Sequence, residues 1–183
     1  MPLRVVAASL PATLVRWGAM TDLEQTVASL VDRVERLEDE LAIRNLIVRY
    51  GFAVDVGDAE HAAGVFMPDG VYDVDVGRME GRDAVAAMVR GTRHQSMVGH
   101  CAHQMGPVIV ERGSGGRAVA TGYSRVYLHT HAGTHVYRVS LNRWELVKRD
   151  GEWLVAHRTT RVLGNDEAPA VFRRFWTAAP RPA

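Results

Sequence analysis

Tyr50-Gly51-Phe52-Ala53-Val54-Asp55-Val56-Gly57-Asp58 closes a helical run that begins near Asp22, and the fold turns on how this stretch is read. One carboxylate, Asp55, stands between two valines just past Phe52 and Ala53. Among apolar neighbours a buried acid is costly to leave charged. An acid placed there either ends the helix toward water or takes part in proton transfer. Tyr50 and Asp55 are five positions apart and diverge on a regular helix, so they converge only if the helix distorts near Gly51.

Upstream, Thr21 or Asp22 can cap the helix, with Glu24 and Gln25 in its first turn. Leu23, Val27, Leu30, Val34, Leu37 and Leu41 then recur at alternating spacings of four and three, a narrow apolar seam flanked by charges. Such a seam is expected to pack across a subunit interface or onto the back of a sheet. After Leu41 the pattern widens through Ile43, Leu46, Ile47, Val48, Tyr50 and Phe52, as when a helix enters a core. Gly51 and Gly57 are expected to loosen or end it.

Downstream, Asp58 caps a short second helix over Ala59–Phe66, closed by Met67-Pro68-Asp69-Gly70. Val71–Val76 alternates with period two and reads as a strand, Gly77 turns the chain, and Arg82–Arg90 reads as a third helix. Four long strands follow, near His100–Glu111, Arg117–His131, Thr134–Arg149 and Glu152–Leu163. Their turns are Gly113–Gly116, Ala132-Gly133 and Asp150-Gly151, the last a strong hairpin signal. Helices followed by an antiparallel meander give an α+β fold, expected as a cone with three N-terminal helices packed on a curved sheet and Asp55 near its mouth. Residues 21–183 are read as one domain, and residues 1–20 as a disordered or loosely packed extension.

Composition narrows the function classes. The chain has 183 residues, 47% hydrophobic and 23% charged, an ordinary globular balance. A formal net charge of +1 without a basic stripe gives no nucleic-acid footprint. No apolar run approaches the roughly 20 residues that span a bilayer, and a cytoplasmic location is the expectation. The single cysteine, Cys101, excludes an internal disulfide.

All the histidines but His61 lie in the second half of the chain. On a strand His103, Met105, Pro107 and Ile109 share one face, largely apolar, which is expected to be the interior and to carry His103 into the cavity. His100 is expected on the other face, and Cys101 is likewise set opposite His103. His129-Thr130-His131 offers two imidazoles, but they lie beside a turn and lack a fixed third ligand, so no metal is assigned. No nucleophile elbow, P-loop or dinucleotide fingerprint is present. Arg161, in Arg158-Thr-Thr-Arg161, is either a cavity cation that stabilises an oxyanion or a strand-end arginine paired with an acid. Met105 and Trp144 are candidates for an apolar wall.

Leu37-Glu-Asp-Glu-Leu-Ala-Ile43-Arg-Asn-Leu-Ile-Val-Arg-Tyr50-x4-Asp55, the Phe66-Met-Pro-Asp-Gly-Val71 turn and Arg149-Asp-Gly-Glu-Trp153 together resemble the SnoaL-like branch of the nuclear transport factor two superfamily. The likeness runs from about Leu30 to Leu163. Within that branch it is nearest to the bile-acid 7α-dehydratases, with scytalone dehydratase and hexachlorocyclohexane dehydrochlorinase as looser relatives. The resemblance implies a deep pocket, no cofactor, and a homodimer or homotrimer. It also implies a site in which Tyr50, Asp55, His103, Tyr72 and Arg161 stand where the bile-acid enzymes carry theirs, although the register leaves either His100 or His103 as the pocket histidine. The implied activity is a lyase of the dehydratase kind, acting on a hydrophobic cyclic or polycyclic molecule through an Asp55/His103 dyad. An isomerase, a cyclase or a non-catalytic assembly subunit docking through the Leu23–Leu41 seam are the alternatives.

Overall fold

The computed structural model describes residues 21–178, with side chains described as far as Arg173, so the expectation for residues 1–20 lies outside it. Helix α1 runs from Asp22–Asp55, and the chain divides within it, at Arg36/Leu37, into two compact units. In the first unit Leu23, Val27, Leu30 and Val34 are all exposed. In the second, Leu37 and Leu41 are exposed as well. The wider stripe behaves differently: Ile43, Leu46, Ile47, Tyr50, Ala53 and Val54 are buried.

The second unit continues with α2 (Ala59–Gly64), β1 (Phe66–Val74), β2 (Gly77–Glu80), α3 (Arg82–Arg90) and α4 (Thr92–Gln95). Then come β3 (Cys101–Arg112), β4 (Arg117–Thr130), β5 (Gly133–Arg149), β6 (Glu152–Val162) and α5 (Ala168–Ala178). The strands form one six-stranded sheet in the order β2-β1-β6-β5-β4-β3, antiparallel except where β1 runs parallel to β6. The mixed α+β class is therefore as read, and the four long strands fall within two residues of their expected ends. Three local readings change. Phe66 opens β1 instead of closing α2, and it is fully buried against the core. Gly77 lies in a hairpin that adds β2, and α4 and α5 are helices that the periodicity did not announce.

Residues of α1, α2 and α3 share one core with the inner sheet face, centred on Phe66, Trp144, Leu146 and Val155. Alternation sends Leu141 to the other face, where Ala168 and Val171 of α5 cover it. The Asp150-Gly151 turn joining β5 to β6 has positive φ at both residues, 50° and 86°, the geometry of a tight hairpin turn.

Asp39 fixes the part of α1 that lies in the second unit to the sheet. Its carboxylate is buried and accepts from Lys148 Nζ at 2.7 Å and Trp153 Nε1 at 2.9 Å, and it pairs with Arg112 at 2.9 Å. Burial alone would push its pKa up, but the Lys148 and Trp153 hydrogen bonds and the Arg112 charge together hold it below the usual carboxylate value. Lys148 and Arg112 are partly exposed and can rehydrate, so Asp39→Ala should cost about 1–2 kcal/mol in denaturant unfolding at neutral pH, chiefly for the stranded Trp153 N–H. A folded-state pKa below the unfolded one contributes stability above the unfolded value, and that contribution is lost as pH falls through the folded value. The wild type should therefore lose its advantage over Asp39→Ala in acid. A gap between the two that stays constant with pH would contradict this assignment.

Candidate functional site

Helix α1 stays regular through Gly51 and ends at Asp55. Gly57, with φ 74°, closes it: Asp58 N–H donates to Ala53 O at 2.8 Å and Gly57 N–H to Val54 O at 3.1 Å. This is the reciprocal pair of a Schellman cap. Gly51 thus does not loosen the helix as expected, and its lack of a side chain serves a close approach instead. A Cβ there would lie 2.8 Å from Met105 Cγ and 3.1 Å from His103 O, so glycine lets β3 lie against the helix. Because the helix is regular, Tyr50 and Asp55 point about 140° apart and serve different places.

Asp55 meets His103. The imidazole Nδ1 lies 2.6 Å from Asp55 Oδ1, and the His103 backbone N–H donates to Oδ2 at 2.8 Å. Both carboxylate oxygens are thus held by one residue of β3. Their side chains are 17% and 18% exposed, sheltered from bulk water but reachable. The carboxylate stands at the helix C-terminus, where the dipole is unfavourable to an acid, and both of these donors are aimed at it. His94, buried on α4, supports the same corner: its Nε2 lies 2.7 Å from Val54 O, a carbonyl in the last turn of α1. The His94 and His103 ring centroids are 6.4 Å apart.

Cys101 stands with this pair and not opposite to it. Residues 101 and 103 are two apart on β3 and share a face, and the Cys101 thiol donates to Asp55 Oδ1 at 3.6 Å. Burial first, and the Asp55 charge next, push its thiol up to about 11. His100 precedes the strand and is exposed, its carbonyl accepting from His129 N–H at 2.8 Å, so His103 is the histidine at Asp55. The expected shared face of His103, Met105, Pro107 and Ile109 breaks after Met105. A register shift between Met105 and Val108 turns Pro107 and Ile109 outward and Val108 inward.

Tyr50 leads to a second cluster. Its ring packs edge-on to Phe66, Tyr72 and Trp144, with centroids 5.9, 6.5 and 5.5 Å away. Among these rings lies Arg158, 3% exposed, its guanidinium carbon 4.0 Å from the Trp144 centroid, 4.4 Å from that of Tyr72 and 4.7 Å from that of Tyr50. Arg158 Nη2 donates to Asn142 Oδ1 at 2.8 Å, and Thr160 Oγ1 donates to the same oxygen at 2.8 Å. Nε and Nη1 find no acceptor among the described residues, and no carboxylate there pairs with the guanidinium. Burial keeps the Tyr50 phenol well above its ordinary pKa, so it stays protonated and able to donate.

Arg161 lies on the other face. It pairs with Asp73 at 2.9 Å and with Glu167 at 2.8 Å, the strand-end arrangement weighed against a cavity role. The cause is a bulge. Val155 pairs with Leu146 and His157 with Glu145, so Ala156 is an extra residue that reverses the alternation after it. Arg158 and Thr160 thereby turn inward and Arg161 outward. His129 Nδ1 lies 2.9 Å from Thr134 Oγ1 at the surface. Among the described residues, the side chains placed to hold a cation jointly are Asp55, Cys101 and His103.

The signature of the SnoaL-like domain matches residues 35–159. The chain belongs to the SnoaL-like family. This SnoaL-like chain is 35% identical to an NTF2-like protein with a cystatin-like fold from Novosphingobium aromaticivorans, over 84% of its own length and 98% of that protein, with a TM-score of 0.76. Its fold is also that of a hexachlorocyclohexane dehydrochlorinase, LinA-type3, from Novosphingobium barchaimii, at 18% identity and TM-score 0.62 over 72% and 90% of the two chains. Aln2 from a Streptomyces species is similar at 20% identity and TM-score 0.62, over 68% and 91%. No curated protein matches the chain. The finer likeness to bile-acid dehydratases rests on the residue pattern alone. Among the described residues no helix is long and apolar enough to cross a membrane.

Proposed function

We propose that this SnoaL-like protein is a cofactor-independent lyase, a dehydratase in the first reading, acting on a small hydrophobic cyclic molecule. The observation that carries it is the 2.6 Å contact between His103 Nδ1 and Asp55. With Nδ1–H donating to the carboxylate, Nε2 carries the lone pair and is the proton acceptor. His103 takes a proton from a carbon next to an activating group, and the freed C–H pair forms the new double bond. The leaving group departs with its own electron pair, and His103 returns the proton to it as general acid. Asp55 orients the ring and offsets the charge of the imidazolium.

Arg158 supplies the complementary element. A buried cation whose Nε and Nη1 lack acceptors is already arranged to receive negative charge developing on a substrate oxygen or leaving group. Tyr50 of α1 packs on Arg158, and the next residue, Gly51, is the glycine that lets His103 of β3 lie close to the helix. Elimination is also the reaction class that the name of the hexachlorocyclohexane dehydrochlorinase states for a protein of this fold.

An isomerase or cyclase uses the same base and returns the proton to another carbon. The test is product mass after incubation with cyclic compounds bearing a hydroxyl or halide β to a carbonyl. The lyase reading expects loss of one water or one hydrogen halide. An unchanged mass with an altered spectrum would establish the isomerase instead. A homodimer or homotrimer belongs to the proposal, and the exposed stripe from Leu23 to Leu41 favours it. The same stripe supports the second reading, an assembly subunit, for which no compound would turn over.

A further inference from the structure

Asp55 Oδ1 receives two donors, His103 Nδ1 and the Cys101 thiol, and the ligand-type atoms of these residues lie within 4.8 Å of one another. We infer that Asp55, Cys101 and His103 form a binding site for a thiophilic divalent cation of the zinc class, and that occupancy switches off the Asp55–His103 pair. The binding half stands on geometry alone, whereas the switching half rests on the function proposed above.

A thiol, an imidazole and a single carboxylate select zinc-like ions over magnesium or calcium, which require mostly oxygen ligands. Tetrahedral zinc, with bonds of about 2.0–2.3 Å, holds sulfur and oxygen ligands roughly 3.5 Å apart. Cys101 Sγ and Asp55 Oδ1 already stand at 3.6 Å. The shorter Asp55–His103 contact, 2.6 Å, must open by several tenths of an ångström, so binding requires the imidazole to swing away from the carboxylate. The three ligands come from the capped end of α1 and the first residues of β3, both fixed by backbone hydrogen bonds. The Asp55 and His103 side chains are 17% and 18% exposed, so water can reach the fourth position of a tetrahedral ion.

The proton balance explains the switch. The cation displaces the Cys101 thiol proton to solvent. To bind through Nδ1, neutral His103 moves its ring proton to Nε2, which then has no lone pair for a substrate. One proton leaves per cation bound, and no electron is transferred.

Cobalt(II) is the probe, added to the full chain after chelator treatment. The expected result is one equivalent bound, with a thiolate-to-cobalt charge-transfer band that zinc displaces. Cys101→Ser should abolish the band, and Asp55→Asn should weaken binding by more than ~10-fold. Because Cys101 is the only cysteine, its alkylation rate in the unaltered protein gives a variant-free reading, and zinc should suppress it. Cobalt bound without a thiolate band, a band that survives Cys101→Ser, or alkylation indifferent to zinc would each overturn the site. Turnover unaffected by saturating zinc would overturn the switch while leaving the site intact. None of the binding readouts depends on turnover, so failure of the proposed reaction is separable from failure of this inference.

Discussion

Asp55→Asn and His103→Gln should each lower kcat/KM by roughly 10²–10⁴-fold, the span of general acid–base catalysis, with little change in folding. His103→Gln removes the acceptor. Asp55→Asn retains the shape but removes the charge, and its amide nitrogen can only donate, so the ring no longer has an ionised partner on Nδ1. The double variant should be no worse than the poorer single one, because the two residues act as one unit. Additive losses, or a near-normal rate in either single variant, would take the pair out of the chemistry.

Arg158→Met should separate catalysis from stability. If Arg158 receives developing negative charge, its loss should lower kcat by about 10²–10³-fold, as for other preorganised electrostatic donors. The fold should tolerate the change. A buried cation without an ion-pair partner is a desolvation cost, and replacing buried charge by an apolar side chain of similar length is often neutral or stabilising. Methionine should rest among Tyr50, Tyr72 and Trp144 while Thr160 still donates to Asn142 Oδ1. The expected signature is thus an inactive protein with an unchanged or raised melting temperature. A sharp fall in melting temperature with activity retained would make Arg158 a structural residue.

These two experiments probe residues that were unequally legible. Asp55 and His103 stand out in the sequence because each lies in an apolar setting at the end of a periodic segment. Their meeting needs the Schellman cap at Gly57 and the close approach at Gly51, and both rest on glycines whose role the sequence leaves ambiguous. Arg158 was hidden by one residue. Strand alternation carried from Trp153 and Val155 places Arg161 inside, and only the extra Ala156 in the β5–β6 register reverses this. A second register shift misdirected Pro107 and Ile109 in the same way.

Cys101 was legible and misassigned, since residues two apart on a strand share a face. Helix α4 is a single turn, too short for a periodic signal, and β2 is defined by pairing across a turn. The long strands were recovered because each is bounded by glycine-containing turns. Leu23, Val27, Leu30 and Val34 in the first unit and Leu37 and Leu41 in the second are exposed, so packing of these residues across a subunit interface stays part of the proposal.

The pairing of Asp55 with His103 can be tested without a substrate. Nitrogen-15 and proton NMR of the imidazoles identifies which ring nitrogen of His103 carries the proton at neutral pH. Protonated Nδ1, with its proton shifted far downfield by Asp55 and moved back in Asp55→Asn, is the predicted result. A His103 ring protonated only on Nε2, or one whose resonances ignore Asp55→Asn, would contradict the account.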